Sequence, residues 1–99
     1  MTGYDELQAL TISIGEHSLT AIGREKLRAL EVQLDPRTNH ATMTIVLRAN
    51  DDESQTDALR ELFDVEHLFA DEVVLSYVFA ETLDNEKSST VTMPQFSYA

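Results

Sequence analysis

The stretch LEVQLDPRTNHATMTIVLR, residues 30–48, decides the fold. Apolar and polar residues alternate over 30–35 and again over 41–48, which is the period of a strand with one buried face. The five residues between the runs, 35–39, are typical of a turn, because Pro presets φ and Asp and Asn close local hydrogen bonds. Two alternating runs around a short turn predict an antiparallel hairpin.

The segment that follows the hairpin changes to helical spacing. Ser54, with Asp57 three positions later, forms an acidic variant of the capping box. An apolar stripe follows at i, i+1, i+4 and i+5, formed by Ala58, Leu59, Leu62 and Phe63. The pattern predicts a helix over 54–63 with the last three of these side chains in the core.

The phase of this stripe does not continue unchanged. An uninterrupted helix would place Glu66 inside the apolar stripe, whereas a restart capped by Asp64 lets the next apolar residues share a face. Those residues are Val65, Leu68 and Phe69. We therefore predict a break or kink near Asp64, with Glu66 in solvent.

The most hydrophobic stretch is 73–80, and both of its faces carry apolar or small residues. A strand of this kind is central in a sheet, or its second face meets a partner. Residues 84–87 are predicted to turn, and 88–93 return as a Thr/Val strand. Pro94 removes a ladder donor, which ends this strand or places it at an edge.

The first 28 residues fit two patterns. Residues 10–14 alternate like a strand, yet Tyr4, Leu7, Leu10 and Ile14 also form a helical stripe, and Ser18 could cap a further helix. Because Thr and Ile are mediocre helix formers, we favour strands at 9–14 and 18–22, followed by a turn at 23–26.

These elements predict a single α+β domain spanning residues 1–99. Its antiparallel sheet has four to six strands, with one main helix, about 54–63, packed on one face.

Charge and composition exclude several classes of protein. Eighteen acidic against seven basic residues give a net charge of −11 and a pI near 4.4. Such a chain repels nucleic acid and anionic lipid, so neither is predicted as a partner. The absence of Cys excludes disulfides and thiolate metal sites. No apolar run reaches the roughly 18 residues of a membrane helix. We expect a small acidic cytoplasmic protein.

Motifs that carry chemistry are missing from the sequence: it contains no phosphate loop, dinucleotide fingerprint, nucleophile elbow or HExxH. Two groups of acidic residues contain side chains that can ligate a metal ion. Asp64, Glu66, His67 and Asp71 offer oxygen and imidazole ligands, and 51–53 offers carboxylates for Ca²⁺ or Mg²⁺. In both cases a solvated helix end explains the residues better, so we predict no catalytic residue, cofactor or metal.

The charge is concentrated in one segment. Residues 51–72 hold nine acidic residues and one basic residue, Arg60, a net −8. A solvated helix face is the default explanation, and an electrostatic docking surface for a basic partner is the functional one. The candidate interaction surface combines acids of the helix, the second face of strand 73–80 and the aromatic C-terminus. Its residues are Asp57, Glu61, Asp64, Val74, Val78, Phe96 and Tyr98.

The preferred function is a non-enzymatic protein-interaction or regulatory domain, for example an acidic inhibitor or immunity-type protein that occupies a basic site on its partner. We also expect self-association as a homodimer that buries the helix-free sheet face, with Phe96 and Tyr98 at its margin. The alternative is a small enzyme or ligand-binding domain with an apolar pocket between helix and sheet. A buried His or carboxylate facing that pocket would favour it.

Overall fold

Two helices pack on one face of a four-stranded mixed sheet in the computed structural model, which describes residues 4–49, 51–81 and 94–98. The elements are α1 (Tyr4–Ile22), β1 (Leu27–Asp35), β2 (His40–Leu47), α2 (Asp52–Phe69), β3 (Val74–Phe79) and β4 (Gln95–Tyr98). The strand order is β3-β2-β1-β4. The α+β class is confirmed, but the expectation of a single main helix is wrong.

The predicted hairpin is confirmed. β1 and β2 pair antiparallel, with Leu34 opposite Ala41 and Leu30 opposite Ile45. In the turn, the backbone N–H of Arg37 donates to Asp35 Oδ1 at 2.9 Å, the local bond that the turn chemistry predicts. Asn39 completes the turn with a φ of 54°, a conformation that Asn tolerates better than most residues.

The predicted break near Asp64 is wrong, because α2 runs without interruption to Phe69. Its buried residues are Ala58, Leu62, Val65 and Phe69, spaced four, three and four apart, which is one continuous stripe. Phe63 was predicted in the core but is 52% exposed. The core stripe starts from Ala58 and passes through Leu62, so Phe63 falls on the outer side of the helix.

The start of α2 also differs from the prediction. The N-cap is Asp51, whose Oδ1 accepts the backbone N–H of Ser54 at 2.8 Å. This hydrogen bond lowers the pKa of Asp51, because it stabilises the ionised carboxylate. Asp51 is therefore the capping residue, and Ser54, which the sequence predicts as the cap, instead donates the backbone N–H that Asp51 accepts.

The expected strands at 9–14 and 18–22 are wrong, since both lie in α1. Hydroxyls within the helix bond back to the carbonyl four residues earlier: Thr11 Oγ1 to Leu7 O and Ser18 Oγ to Ile14 O, both at 2.7 Å. These bonds satisfy buried polar atoms that would otherwise oppose burial. Gly23, with φ at +92°, ends the helix.

The prediction of an antiparallel sheet is wrong for β3, which pairs in parallel. β2 and β3 are parallel, while β1 pairs antiparallel with β2 and with β4. β3 is at the edge of the described sheet, so the first of the two alternatives for this stretch, a central strand, is wrong, and the second, a face that meets a partner, stays a prediction. The turn at 84–87 and the strand at 88–93 lie outside the described residues. β4 begins directly after Pro94.

The core lies between the sheet and the two helices. Fully buried side chains of β1 and β2 face the helices, among them Leu30, Val32, Leu34, Met43 and Ile45. The helices run antiparallel, because His17 of α1 meets Phe69 at the end of α2, whereas Ile22 shares a cavity with Ala58 near its start. This packing leaves a groove on the outer side of the helix layer.

Candidate interaction surface

The three predicted acids lie together on one flank of α2. Asp57, Glu61 and Asp64 are spaced i, i+4 and i+7, which places them on one side of a helix. Asp57 lines a cavity with Ile22 of α1, and Asp64 lines a groove with residues of α1. The flank that carries the acids therefore faces α1.

The groove between the helices has an apolar floor and acidic sides. Its volume is about 440 Å³. Ala21 of α1 and Val65 and Leu68 of α2 supply apolar surface, and Glu16 and Asp64 supply a carboxylate from each helix. Leu68 is 66% exposed, so a large apolar side chain faces solvent beside these charges.

The acids of the helix layer are not neutralised by neighbours. Within the described ranges, the one ion pair joins Arg37 to Asp35 in the hairpin turn, with 3.6 Å between Nε and Oδ1. Arg60 lies three residues after Asp57 and four before Asp64 but forms an ion pair with neither. The two groove carboxylates, Glu16 and Asp64, thus have no ion-pair partner among the described residues.

Basic residues gather at one end of the molecule, around the α1–β1 turn. The Nε of Arg48 donates to the carbonyl of Arg24 at 3.3 Å, and its backbone N–H donates to Lys26 O at 2.9 Å. The Arg24 guanidinium lies 5.8 Å from the centre of the Tyr98 ring, a cation–π geometry. Two acidic residues, Glu25 and Asp57, also lie at this end, where they line a cavity with Lys26 and Arg48.

A small cavity adjoins this basic end. Its volume is about 170 Å³, and Ile22, Lys26, Leu47 and Asp57 are among its lining residues. Ligand pockets usually span about 300–1,000 Å³. The cavity is smaller than this range, whereas the groove between the helices falls within it.

Phe96 and Tyr98 pack within their own sheet, on its helix-facing side. They lie opposite Val32 and Leu30 in the β1–β4 register and contact the core. The side chain of Gln8 fixes this strand: its Nε2 donates to the carbonyl of Gln95 at 2.8 Å, and its Oε1 accepts the Gln95 N–H at 3.1 Å. The two rings are thus held by α1 and β1.

Val74 and Val78 lie on the other face of the sheet. They are 62% and 48% exposed and flank Ser76 on β3. The seven residues of the predicted interaction surface therefore occupy three separate places: the α2 flank, the outer face of β3, and the helix-facing side of β4.

A Ser–His contact that the sequence analysis missed lies between the two valines. Ser76 Oγ is hydrogen-bonded to His40 Nε2 on the neighbouring strand. A nucleophile beside a base is one element of covalent catalysis, but such sites also need a group that orients the base and a cavity for substrate. Neither residue lines the cavities above, and the described residues form no further side-chain hydrogen bond to His40. The contact joins β2 to β3.

A second missed contact joins α2 to β3. The hydroxyl of Tyr77 donates to Glu66 Oε1 at 2.7 Å. Burial raises the pKa of Tyr77, and the hydrogen bond and negative charge of Glu66 raise it further. Glu66, predicted to stay in solvent, is half-buried and points to β3, away from Asp64 and the groove.

Metal ligation gains no support from this arrangement. Across residues 4–49, 51–81 and 94–98, no group of three or more His, Asp or Glu side chains is placed to hold a metal ion. In the same ranges, no helix is both long and apolar enough to cross a membrane.

Comparison with known proteins identifies no relative. Neither the protein-family models, nor the curated proteins, nor the solved structures give a match to this chain.

Proposed function

We propose that this chain is a non-enzymatic protein-interaction domain that binds a basic segment of another protein in the groove between α1 and α2. The observation that carries the proposal is that exposed Leu68 lies beside two carboxylates, Glu16 and Asp64, that form no ion pair with any described residue. The partner surface that complements it is basic and amphipathic. An acidic inhibitor or regulator of a basic protein is one form of this function.

The two features of the groove have different roles in the proposed complex. Exposed ion pairs contribute only about 0.2–1 kcal/mol each, so the carboxylates mainly raise the association rate and select basic partners. The apolar floor supplies area that both proteins remove from water. The cysteine-free chain also suits a reducing compartment, and we propose the cytoplasm as its location.

The experiment compares capture of partners by three forms of the protein in extract of its source cell, with quantitative mass spectrometry. The test variant is Glu16→Gln/Asp64→Asn, which removes the two carboxylates that line the groove. The matched control, Asp5→Asn/Asp71→Asn, removes the same charge from exposed positions that do not line the groove. We expect basic proteins that the wild type and the control capture and the test variant loses.

Leu68→Ser tests whether capture of partners depends on the apolar surface of the groove and not only on its charge. It should weaken capture of the same proteins, although it leaves the net charge unchanged. Equal capture by all four forms, or enrichment of no basic protein, would refute the proposal.

A further inference from the structure

The backbone groups on the outer edge of β3 have no partner among the residues that the structure describes. The N–H of Val74 donates to Asn39 O and that of Ala80 to Ile45 O, both at 3.0 Å, so the even-numbered residues of this strand bond towards β2. Leu75, Tyr77 and Phe79 therefore direct their N–H and C=O groups outwards. No described residue pairs with them there, because β3 ends the sheet.

This edge lacks the features that usually prevent strands from pairing. Natural edge strands carry charges, Pro or bulges that block a second chain. Residues 74–79, VLSYVF, contain no charged residue and no Pro, and their register with β2 is continuous. Val74 and Val78 are exposed on one side of the strand. On the helix side, exposed Phe63 lies one turn before Glu66, the residue that contacts Tyr77.

The charge distribution and the sequence of β3 favour a second copy of this chain as the strand that pairs with this edge. Two copies of a chain with net charge −11 repel each other most strongly through their acidic helix layers. Strand β3 offers an approach without charged side chains, and its sequence is self-complementary. Antiparallel pairing centred on Ser76 places Val74 opposite Val78 of the partner subunit and Leu75 opposite Tyr77 of the partner subunit.

We propose that two copies of this protein pair their β3 strands antiparallel about Ser76, which joins the two sheets into one of eight strands. The contact is isologous, so it closes after two copies. It is a different surface from the groove. A six-residue strand gives a strip only about 20 Å long, which is smaller than a standard interface, so the proposed dimer is a weak one. Acids at both ends, Glu72 and Glu81, make the dimer tighter as salt screens them.

The absence of Cys gives a direct test by disulfide cross-linking. In the proposed register, Ser76 faces its own copy in a non-hydrogen-bonded pair with Cα atoms about 4.5 Å apart, which is close enough for a disulfide. Ser76→Cys should form a covalent dimer under mild oxidation. Thr42→Cys, exposed on the interior strand β2, and Ser97→Cys, exposed on the other edge strand, are the matched controls and should stay monomeric.

Solution mass tests the same contact without a new bond. Sedimentation equilibrium should show a wild-type dimer that Val78→Lys weakens by at least about tenfold, or about 1.4 kcal/mol. Ile12→Lys, which alters an exposed apolar residue of α1, should not weaken it. Circular dichroism should show that both variants are folded.

Two outcomes overturn the dimer: a monomer mass for the wild type at about 100 µM and physiological salt, or equal cross-linking of all three Cys variants. The groove variants should leave the dimer intact, so the proposed dimer and the proposed partner groove fail independently.

Discussion

Replacing Gly15 by Ala in the middle of α1 should destabilise the protein, although Ala is the better helix former. A methyl carbon at Gly15 would lie 2.6 Å from Cε2 of Phe96 and closer still to Cγ and Cδ2 of the same ring. Real Cβ atoms essentially never approach another heavy atom within 3.0 Å. The glycine thus allows α1 to lie directly against β4.

The magnitude follows from two opposing effects. Gly→Ala in a helix interior gains about 1 kcal/mol of helix propensity. Overpacking costs about 1–3 kcal/mol, and the upper part of that range applies, since the overlap reaches Cγ at the root of the ring and a small rotation cannot relieve it. The net expectation is a loss of about 1–2 kcal/mol in the free energy of unfolding.

Urea denaturation followed by circular dichroism measures this in a double-mutant cycle. In a Phe96→Ala background the overlap is gone, so Gly15→Ala should stabilise by up to about 1 kcal/mol, and the coupling energy should be about 2–3 kcal/mol. Thr20→Ala, exposed on the same helix, is the control and should stabilise by about half a kcal/mol in both backgrounds. Stabilisation by Gly15→Ala in the wild-type background would refute the close packing of α1 on Phe96.

Three further measurements test the packing and the charges. Leu62→Ala should cost about 2–5 kcal/mol in urea denaturation, because Leu62 is fully buried, whereas Phe63→Ala should cost less than about 1 kcal/mol; equal costs would contradict the helix phase. Tyr77 has a raised pKa in the folded state, so the stability that its neutral form contributes is complete below pH 10 and is lost as the pH rises further; the difference between wild type and Tyr77→Phe should therefore shrink above pH 10, and a constant difference would contradict it. The melting temperature should rise between about 0.01 M and about 0.15 M NaCl, as the screening length falls from about 30 to about 8 Å; a flat or falling curve would mean that the acids are already compensated.

The two main errors of the sequence analysis about the second half of the fold have one physical cause. α2 has 18 residues and is about 27 Å long, close to the roughly 26 Å of the eight-residue strand β2. An unbroken helix of this length returns the chain to the end where β2 began, so β3 starts there and runs parallel. A helix broken near Asp64 would cover little more than half that distance. Predicting the break therefore also favoured an antiparallel sheet.

The first helix shows where local propensity is a poor guide. Its Thr and Ile residues favour strands in isolation, yet Thr11 and Ile14 are fully buried in α1. Burial against the sheet outweighs propensity differences of a few tenths of a kcal/mol per residue. The helical stripe of Leu7, Leu10 and Ile14 was visible in the sequence, but nothing local ranked it above the alternating pattern. The hairpin was predictable because its alternation and its turn residues agree.

For the candidate surfaces, the sequence indicates which types of residue are present but not which of them lie together in the fold. The charge density of the sequence indicates the acids of α2, but their position on one flank follows only from the observed helix. The groove also depends on Glu16 and Ala21 of α1, and the sequence analysis predicts a strand at Ala21 and none at Glu16, so it gives no second wall. The contacts of Ser76 with His40 and of Tyr77 with Glu66 join residues 36 and 11 positions apart, and no spacing rule connects them.

Strand β3 gives the most informative disagreement between sequence and structure. A strand that is apolar on both faces is expected at the centre of a sheet, because there both faces are covered. In this chain it lies at the edge, with Val74 and Val78 in solvent. Exposed apolar side chains and unpaired backbone groups on one short strand are each unfavourable for a protein that stays alone. Pairing with a second β3 would give the outer backbone groups hydrogen-bond partners and would place Val74 beside Val78 of the partner subunit.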